Sequence, residues 1–201
     1  MKVLNLYSGI GGNRKLWGGD ITVTAVEWDK EIAKVYQEFY PNDTVIVADA
    51  HKYLIEHMNE YDFIWASPPC PSHSKLRTSH INDGIMYPDM TLYQEIIVLK
   101  HFFKGKEFVV ENVIPYYRPL IAPSFELDRH FFWCGNQFIM KCFNSKGGDV
   151  SRDTKEELAK AYDIDLNVIT KYKVDARHVL RNCVDPQVGK FIFDNIMGIK
   201  E

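Results

Sequence analysis

Short apolar runs alternate with longer stretches of helical spacing through most of the chain. Residues 3–7, 22–27, 45–47, 63–66 and 108–110 are brief and rich in β-branched or aromatic side chains, and they read as strands. Between them lie segments with apolar positions three and four apart. These predict helices over 12–17, 30–40, 51–58 and 90–103, and a last one over 187–197. Asp29 stands where an N-cap would open the second helix, and Pro41-Asn42-Asp43 closes it. Strand and helix alternating at this spacing predict a mostly parallel sheet with helices on both faces. The pattern weakens afterwards. Residues 131–133 and 138–140 suggest a strand pair, and 144–175 are polar with a helical bias. Residues 75–90 carry Asn-Asp-Gly and Tyr-Pro and read as a loop.

Composition narrows the class without deciding it. With 201 residues, 46% hydrophobic and 25% charged, the chain is long enough to bury one sizeable core. No apolar run reaches the length of a membrane span. The first residues run straight into a strand pattern with no signal-peptide cleavage region, which points to the cytoplasm. Cys70, Cys134, Cys142 and Cys183 form no CxxC pair, so no zinc or other metal site is expected. The net charge of −3 does not advertise nucleic-acid binding, but local basic clusters matter more. Lys75 with Arg77, residues 100–106 and residues 141–152 are such clusters, and each also fits a solvated face.

The chemistry concentrates at the predicted strand ends. In an open α/β sheet, ligands bind outside the carboxyl ends of the strands. The fourth strand runs into Pro68-Pro69-Cys70-Pro71, where prolines fix the backbone and hold the thiol in one direction. A nucleophile and a buried structural cysteine fit that segment equally well. The first strand opens into Tyr7-Ser-Gly9-Ile-Gly11-Gly12, a turn whose glycines admit a ligand close to the backbone. Glu27-Trp28 ends the second strand and Asp49-Ala50 follows the third. A carboxylate can accept ribose hydroxyls, an indole can stack on adenine, and Asp49 can accept from an adenine amino group. Both acids also fit helix caps; three such strand ends together favour a nucleoside site. Glu111-Asn112-Val113 ends the fifth strand and places a carboxyl group beside the Cys70 strand. A thiolate and an acid so placed suit attack on an electron-poor ring, the acid protonating a ring nitrogen.

These residues resemble, in order, the motifs of the cytosine-C5 DNA methyltransferases, of which similar small proteins occur in bacteriophages. The glycine turn resembles that family's S-adenosylmethionine motif, with Tyr7, Gly9, Gly11 and Gly12. Glu27, Trp28, Asp49 and Ala50 resemble its ribose and adenine contacts. Pro69-Cys70 with Ser74 resembles the Pro-Cys-Gln-x-x-Ser nucleophile loop, although Pro71 stands in place of the glutamine. Glu111-Asn112-Val113 resembles Glu-Asn-Val. Arg181-Asn182-Cys-Val184-Asp-Pro186 with the following helix resembles the last motif, which returns to the cofactor pocket. The arginine motif, normally Gln-x-Arg-x-Arg, is represented by Leu127-Asp-Arg129 alone.

The resemblance implies a Rossmann-like S-adenosylmethionine-dependent methyltransferase fold. Its parts would be a catalytic core over 1–135, a reduced target-recognition region over 136–176 and a returning motif over 177–201. It implies methyl transfer from S-adenosylmethionine to C5 of cytosine, leaving S-adenosylhomocysteine, through a covalent bond between Cys70 and C6. Glu111 would act at N3 and Arg129 at O2, with a lowered Cys70 pKa. Asn182 and Val184 would close the cofactor pocket. Ser72, Ser74, Lys75, Arg77 and Asn112 would face DNA carrying a flipped cytosine, in a bacterial or phage-infected cell, where anti-restriction is an expected role. The short recognition region leaves RNA, single-stranded DNA or a free cytosine nucleotide open as substrates. It also leaves open a second copy or another partner supplying target recognition, or a catalytically silent nucleic-acid-binding protein.

Overall fold

The computed structural model describes residues 1–75, 86–135 and 152–198. Seven strands form one sheet in the order β3-β2-β1-β4-β5-β7-β6. These are β1 (Lys2–Leu6), β2 (Thr22–Glu27), β3 (Thr44–Val47), β4 (Phe63–Ala66), β5 (Glu107–Val113), β6 (Phe125–Leu127) and β7 (His130–Cys134). The pairs among β1 to β5 are parallel, whereas β7 runs antiparallel to β5 and to β6. The helices are α1 (Lys30–Phe39), α2 (Ala50–His57), α3 (Thr91–Phe102), α4 (Lys155–Ala161), α5 (Leu166–Thr170), α6 (Ala176–Arg181) and α7 (Pro186–Met197). None among the described residues is long and apolar enough to cross a membrane.

Alternation along each central strand splits the core in two. On β4, Ile64 and Ala66 face a cluster completed by Leu54 of α2 and by Ile96 and Leu99 of α3. Phe63 and Trp65 face the opposite cluster, where α7 contributes Val188, Ile192 and Phe193. Both faces being covered explains why these strands are apolar throughout. A third cluster joins α4, α5 and α6 to Val35 of α1 and to Ile10. The described part of the expected recognition region thus spends its apolar faces on the core beside α1.

Two expectations change. The helix expected over 12–17 is a series of turns, whose N–H groups reach back three residues, as from Arg14 to Gly11 and from Trp17 to Arg14. Side chains there are taken up tertiarily: Arg14 pairs with Asp43 at 3.0 Å, and Asn13 donates to the buried Asn5 at 2.8 Å. The strand pair near 131 is β6 with β7, and residues 138–140 lie outside the described residues. The cap at Asp29 was legible, its side chain accepting from the Glu31 and Ile32 N–H groups, and the structure adds Asp185, which opens α7 with Pro186 at its first turn.

Candidate active site

The sheet reverses its winding between β1 and β4, and the loops that follow these two strands face each other across that point. A cavity of about 630 Å³ opens there. Tyr7, Gly9 and Gly12 line it from the first loop, and Pro69 and Cys70 from the second. Glu27, Trp28, Asp49 and Ala50 line it from the ends of β2 and β3. Glu111 enters from β5, Arg129 from the turn before β7, and Asn182 and Val184 from the segment before α7. Because β7 is antiparallel, its beginning lies at the same edge as the ends of the parallel strands. That orientation brings residues 129 and 130 to Glu111.

The nucleotide-like end of the cavity is braced from within. Tyr7 holds a positive φ of 53°, unusual for a residue with a Cβ and a mark of a constrained site. The Glu27 carboxylate accepts from the Gly9 N–H at 2.9 Å and from the Asp29 N–H at 2.9 Å. Burial raises its pKa above the ordinary value, against those N–H groups. Asp49 accepts from the Lys52 N–H at 3.0 Å, so it caps α2 while lining the cavity. The Trp28 ring is 72% exposed. A Cβ at Gly9 would meet nothing of the protein within 4 Å, which leaves open room over the turn. Gly11 lies behind the lining, its carbonyl accepting from the Tyr40 hydroxyl at 2.7 Å. An open glycine turn, a half-buried acid and an exposed indole fit the adenosine part of S-adenosylmethionine.

The other end holds the reactive groups. Cys70 is half-buried and Glu111 is buried. Burial pushes the Glu111 carboxyl up to about 7, opposed by a hydrogen bond from Ser67 and by the Arg129 guanidinium. His130 Nε2 lies 3.2 Å from Glu111 Oε1, and burial followed by Arg129 pushes His130 down to about 3. With its pKa pushed that low, His130 sits beside Glu111 as an uncharged ring, so their contact is not an ion pair. Arg129 is fixed by donating to the Arg181 carbonyl at 2.7 Å. The Cys70 pKa is raised, not lowered: burial and then the Glu111 carboxylate outweigh the favourable field of Arg129.

The residues assigned to nucleic acid divide. Asn112 is buried and its amide donates to the Pro68 carbonyl at 2.8 Å, so it holds the Cys70 loop. Ser72 is likewise buried, accepting from the Asp89 N–H at 3.0 Å. Ser74 forms a backbone bridge with Pro115, and Lys75 is exposed. Arg77 lies outside the described residues.

Sequence reasoning passed over several members. Ser67 precedes the proline turn and reaches Glu111, and His130 follows Arg129 inside an aromatic run. Glu95 of α3 is fully buried, accepts from the Tyr7 hydroxyl and lies 3.2 Å from His51 Nδ1, behind the cavity wall. One acid among the apolar positions of 90–103 was the available signal for it.

The sheet order and the cavity at its switch point define a Rossmann-like S-adenosylmethionine-dependent methyltransferase fold. Residues 1–115, more than half of the chain, match the family described as C-5 cytosine-specific DNA methylase, and the chain belongs to that family. No curated protein sequence matches it. Among solved structures it is similar to DNMT2 of Spodoptera frugiperda, with 24% identity over 56% of this chain and 35% of that one, TM-score 0.42. It is also similar to a DNA modification methyltransferase encoded within an E. coli prophage, with 20% identity over 59% and 33%, TM-score 0.39. A third is a methyltransferase complexed with SAH, with 18% identity over 55% and 30%, TM-score 0.40. The matched region spans about a third of each of those chains.

Proposed function

We propose that the chain transfers a methyl group from S-adenosylmethionine to C5 of cytosine in DNA through a covalent bond between Cys70 and C6. The observation that supports this most is the convergence of Cys70, Glu111 and Arg129 on one cavity with the glycine turn and Glu27. Gly9, Glu27, Trp28 and Asp49 would hold the cofactor's adenosine, with Asn182 and Val184 at its other side. When bound, S-adenosylmethionine supplies an electrophilic methyl group.

The residues divide the work by charge. The Cys70 thiolate adds to C6 while the protonated Glu111 donates to N3, so the ring does not carry the incoming negative charge. With its pKa near 7, Glu111 holds that proton for about half the time at neutrality. Protonation also removes the carboxylate that raises the Cys70 pKa, so the acid form of Glu111 and the thiolate form of Cys70 favour each other. Arg129 favours the thiolate and would meet O2. After C5 takes the methyl group, its proton leaves to solvent, Cys70 is eliminated, and N3 returns its proton to Glu111. The base must leave any duplex first, at a cost of a few kcal/mol.

Methyl transfer from tritiated donor to cytosine-containing DNA is expected for the intact chain and is abolished in Cys70→Ala. Undiminished transfer in that variant overturns the covalent route. Bisulfite sequencing of DNA from cells expressing the chain reports the modified base and its sequence context together.

A further inference from the structure

Two exposed tyrosines lie on segments that are hydrogen-bonded to the Cys70 loop. Tyr87 is 80% exposed. Its segment is pinned two residues later, where the Asp89 N–H donates to Ser72 Oγ. Tyr116 is 41% exposed, and its own N–H donates to the His73 carbonyl at 3.1 Å. Asp89 and Val113 both line the cavity, so each ring stands two or three residues from its wall.

The base under Tyr116 is rigid. Its ring meets Tyr117 edge to face, with centroids 5.1 Å apart and planes at 83°. The Tyr117 hydroxyl is hydrogen-bonded to His73 Nδ1 at 2.5 Å and receives a hydrogen bond from Tyr93 at 3.3 Å. The Tyr93 hydroxyl in turn accepts from the Leu120 N–H at 3.2 Å. Exposed side chains scattered singly need no explanation. Two rings anchored to consecutive residues of one reactive loop form an arrangement. Arg118, exposed two residues after Tyr116, and Lys75, exposed after the Cys70 loop, add positive charge. Asp89 is the acid on the Tyr87 segment, and its carboxylate accepts from the Thr91 N–H at 2.9 Å.

We propose that Tyr87 and Tyr116 form a stacking platform for the bases that flank the target cytosine, so that the site takes unpaired nucleic acid in preference to duplex. This rests on the reading of Cys70 as a nucleophile toward cytosine. Stacking on an aromatic ring suits any base, because every base has a π face, and nearby cations track the backbone. Bases in a duplex are already stacked on each other and cannot occupy such a platform.

The test is fluorescence anisotropy with a short labelled oligonucleotide containing one cytosine, offered as single-stranded DNA, single-stranded RNA and duplex DNA, with S-adenosylhomocysteine present. The wild type is expected to bind a single strand more tightly than the duplex. The pair Tyr87→Ala with Tyr116→Ala is expected to lose about tenfold or more in single-strand affinity, and Tyr87→Phe with Tyr116→Phe to retain it. Circular dichroism checks that the variants are folded. Wild-type preference for duplex, unchanged binding in the alanine pair, or equal loss in the phenylalanine pair overturns the proposal. Methyl transfer measured in parallel separates the two readings. Expected binding without transfer to cytosine refutes the proposed reaction, whereas transfer that prefers duplex and ignores both tyrosines refutes the platform. The strand that accepts methyl groups, DNA or RNA, identifies the sugar.

Discussion

His130 Nε2 lies 3.2 Å from Glu111 Oε1, and both side chains are close to nine-tenths buried. The arrangement gives Glu111 an uncharged neighbour, and burial raises its pKa to about 7 against the Ser67 hydrogen bond and the Arg129 guanidinium. Folding therefore favours the protonated acid. The resulting stability is fully present below the ordinary carboxyl value of about 4.5 and is lost as pH rises through about 7. Thermal unfolding of wild type and Glu111→Gln between about pH 4 and pH 8, the range that brackets this titration, should show it. The variant is expected to become the more stable of the two, relative to their difference at low pH, as pH increases. A difference that is flat with pH would place an ordinary carboxylate at this position.

Thiol reactivity reports the same electrostatics from the other side. The Glu111 carboxylate raises the Cys70 pKa and Arg129 lowers it. Iodoacetamide labelling of Cys70, followed by peptide mass spectrometry across pH, should shift its midpoint down in Glu111→Gln and up in Arg129→Gln. Opposite directions, or no shift in either, would separate Cys70 from both groups.

Much of this site was legible because local chemistry and tertiary role coincide. Pro68 and Pro69 cannot continue β4 in either context, so the Cys70 loop could be placed at a strand end from its residues alone. Glu27 and Asp29 were equally readable, one ending a strand and the other capping α1. The turns over 12–17 were not readable as turns, because Arg14 and Asn13 are drawn to Asp43 and Asn5, which local spacing does not report. His130 was hidden inside Phe131-Phe132-Trp133, and only the antiparallel register of β7 brings it to Glu111. The sign of the Cys70 shift was misjudged because Arg129 was weighed without burial and without the Glu111 charge.

Gly12 permits the returning segment to close on the first loop. A Cβ built there would sit 2.0 Å from Cys183 Sγ and 2.4 Å from the Val184 carbonyl oxygen. Gly12→Ala must displace backbone that lines the cavity, and overpacking of this kind costs about 1–3 kcal/mol. Calorimetry should find S-adenosylhomocysteine affinity reduced at least about tenfold, the equivalent of about 1.4 kcal/mol. Adding Cys183→Ala relieves the sulfur contact but not the carbonyl, so recovery is expected to be partial. Full recovery would assign the whole effect to the thiol, and an unchanged affinity in Gly12→Ala would detach the segment from the cofactor.

Glu27 carries two duties that one substitution can separate. Its Oε2 accepts from the Gly9 N–H and its Oε1 from the Asp29 N–H, each at 2.9 Å. Glutamine retains one acceptor and turns the other into a donor facing a donor, so Glu27→Gln loses a hydrogen bond to a charged group. That loss is worth about 1.5–3 kcal/mol of stability, measurable by denaturant unfolding without ligand. If the carboxylate also meets the ribose, S-adenosylhomocysteine affinity at temperatures well below unfolding falls about tenfold or more, the range of one charged hydrogen bond. A variant with lowered stability and wild-type affinity would make Glu27 a brace for the glycine turn and nothing more. The loop geometry alone does not force the second outcome, because both oxygens keep accepting capacity beyond their single N–H partners.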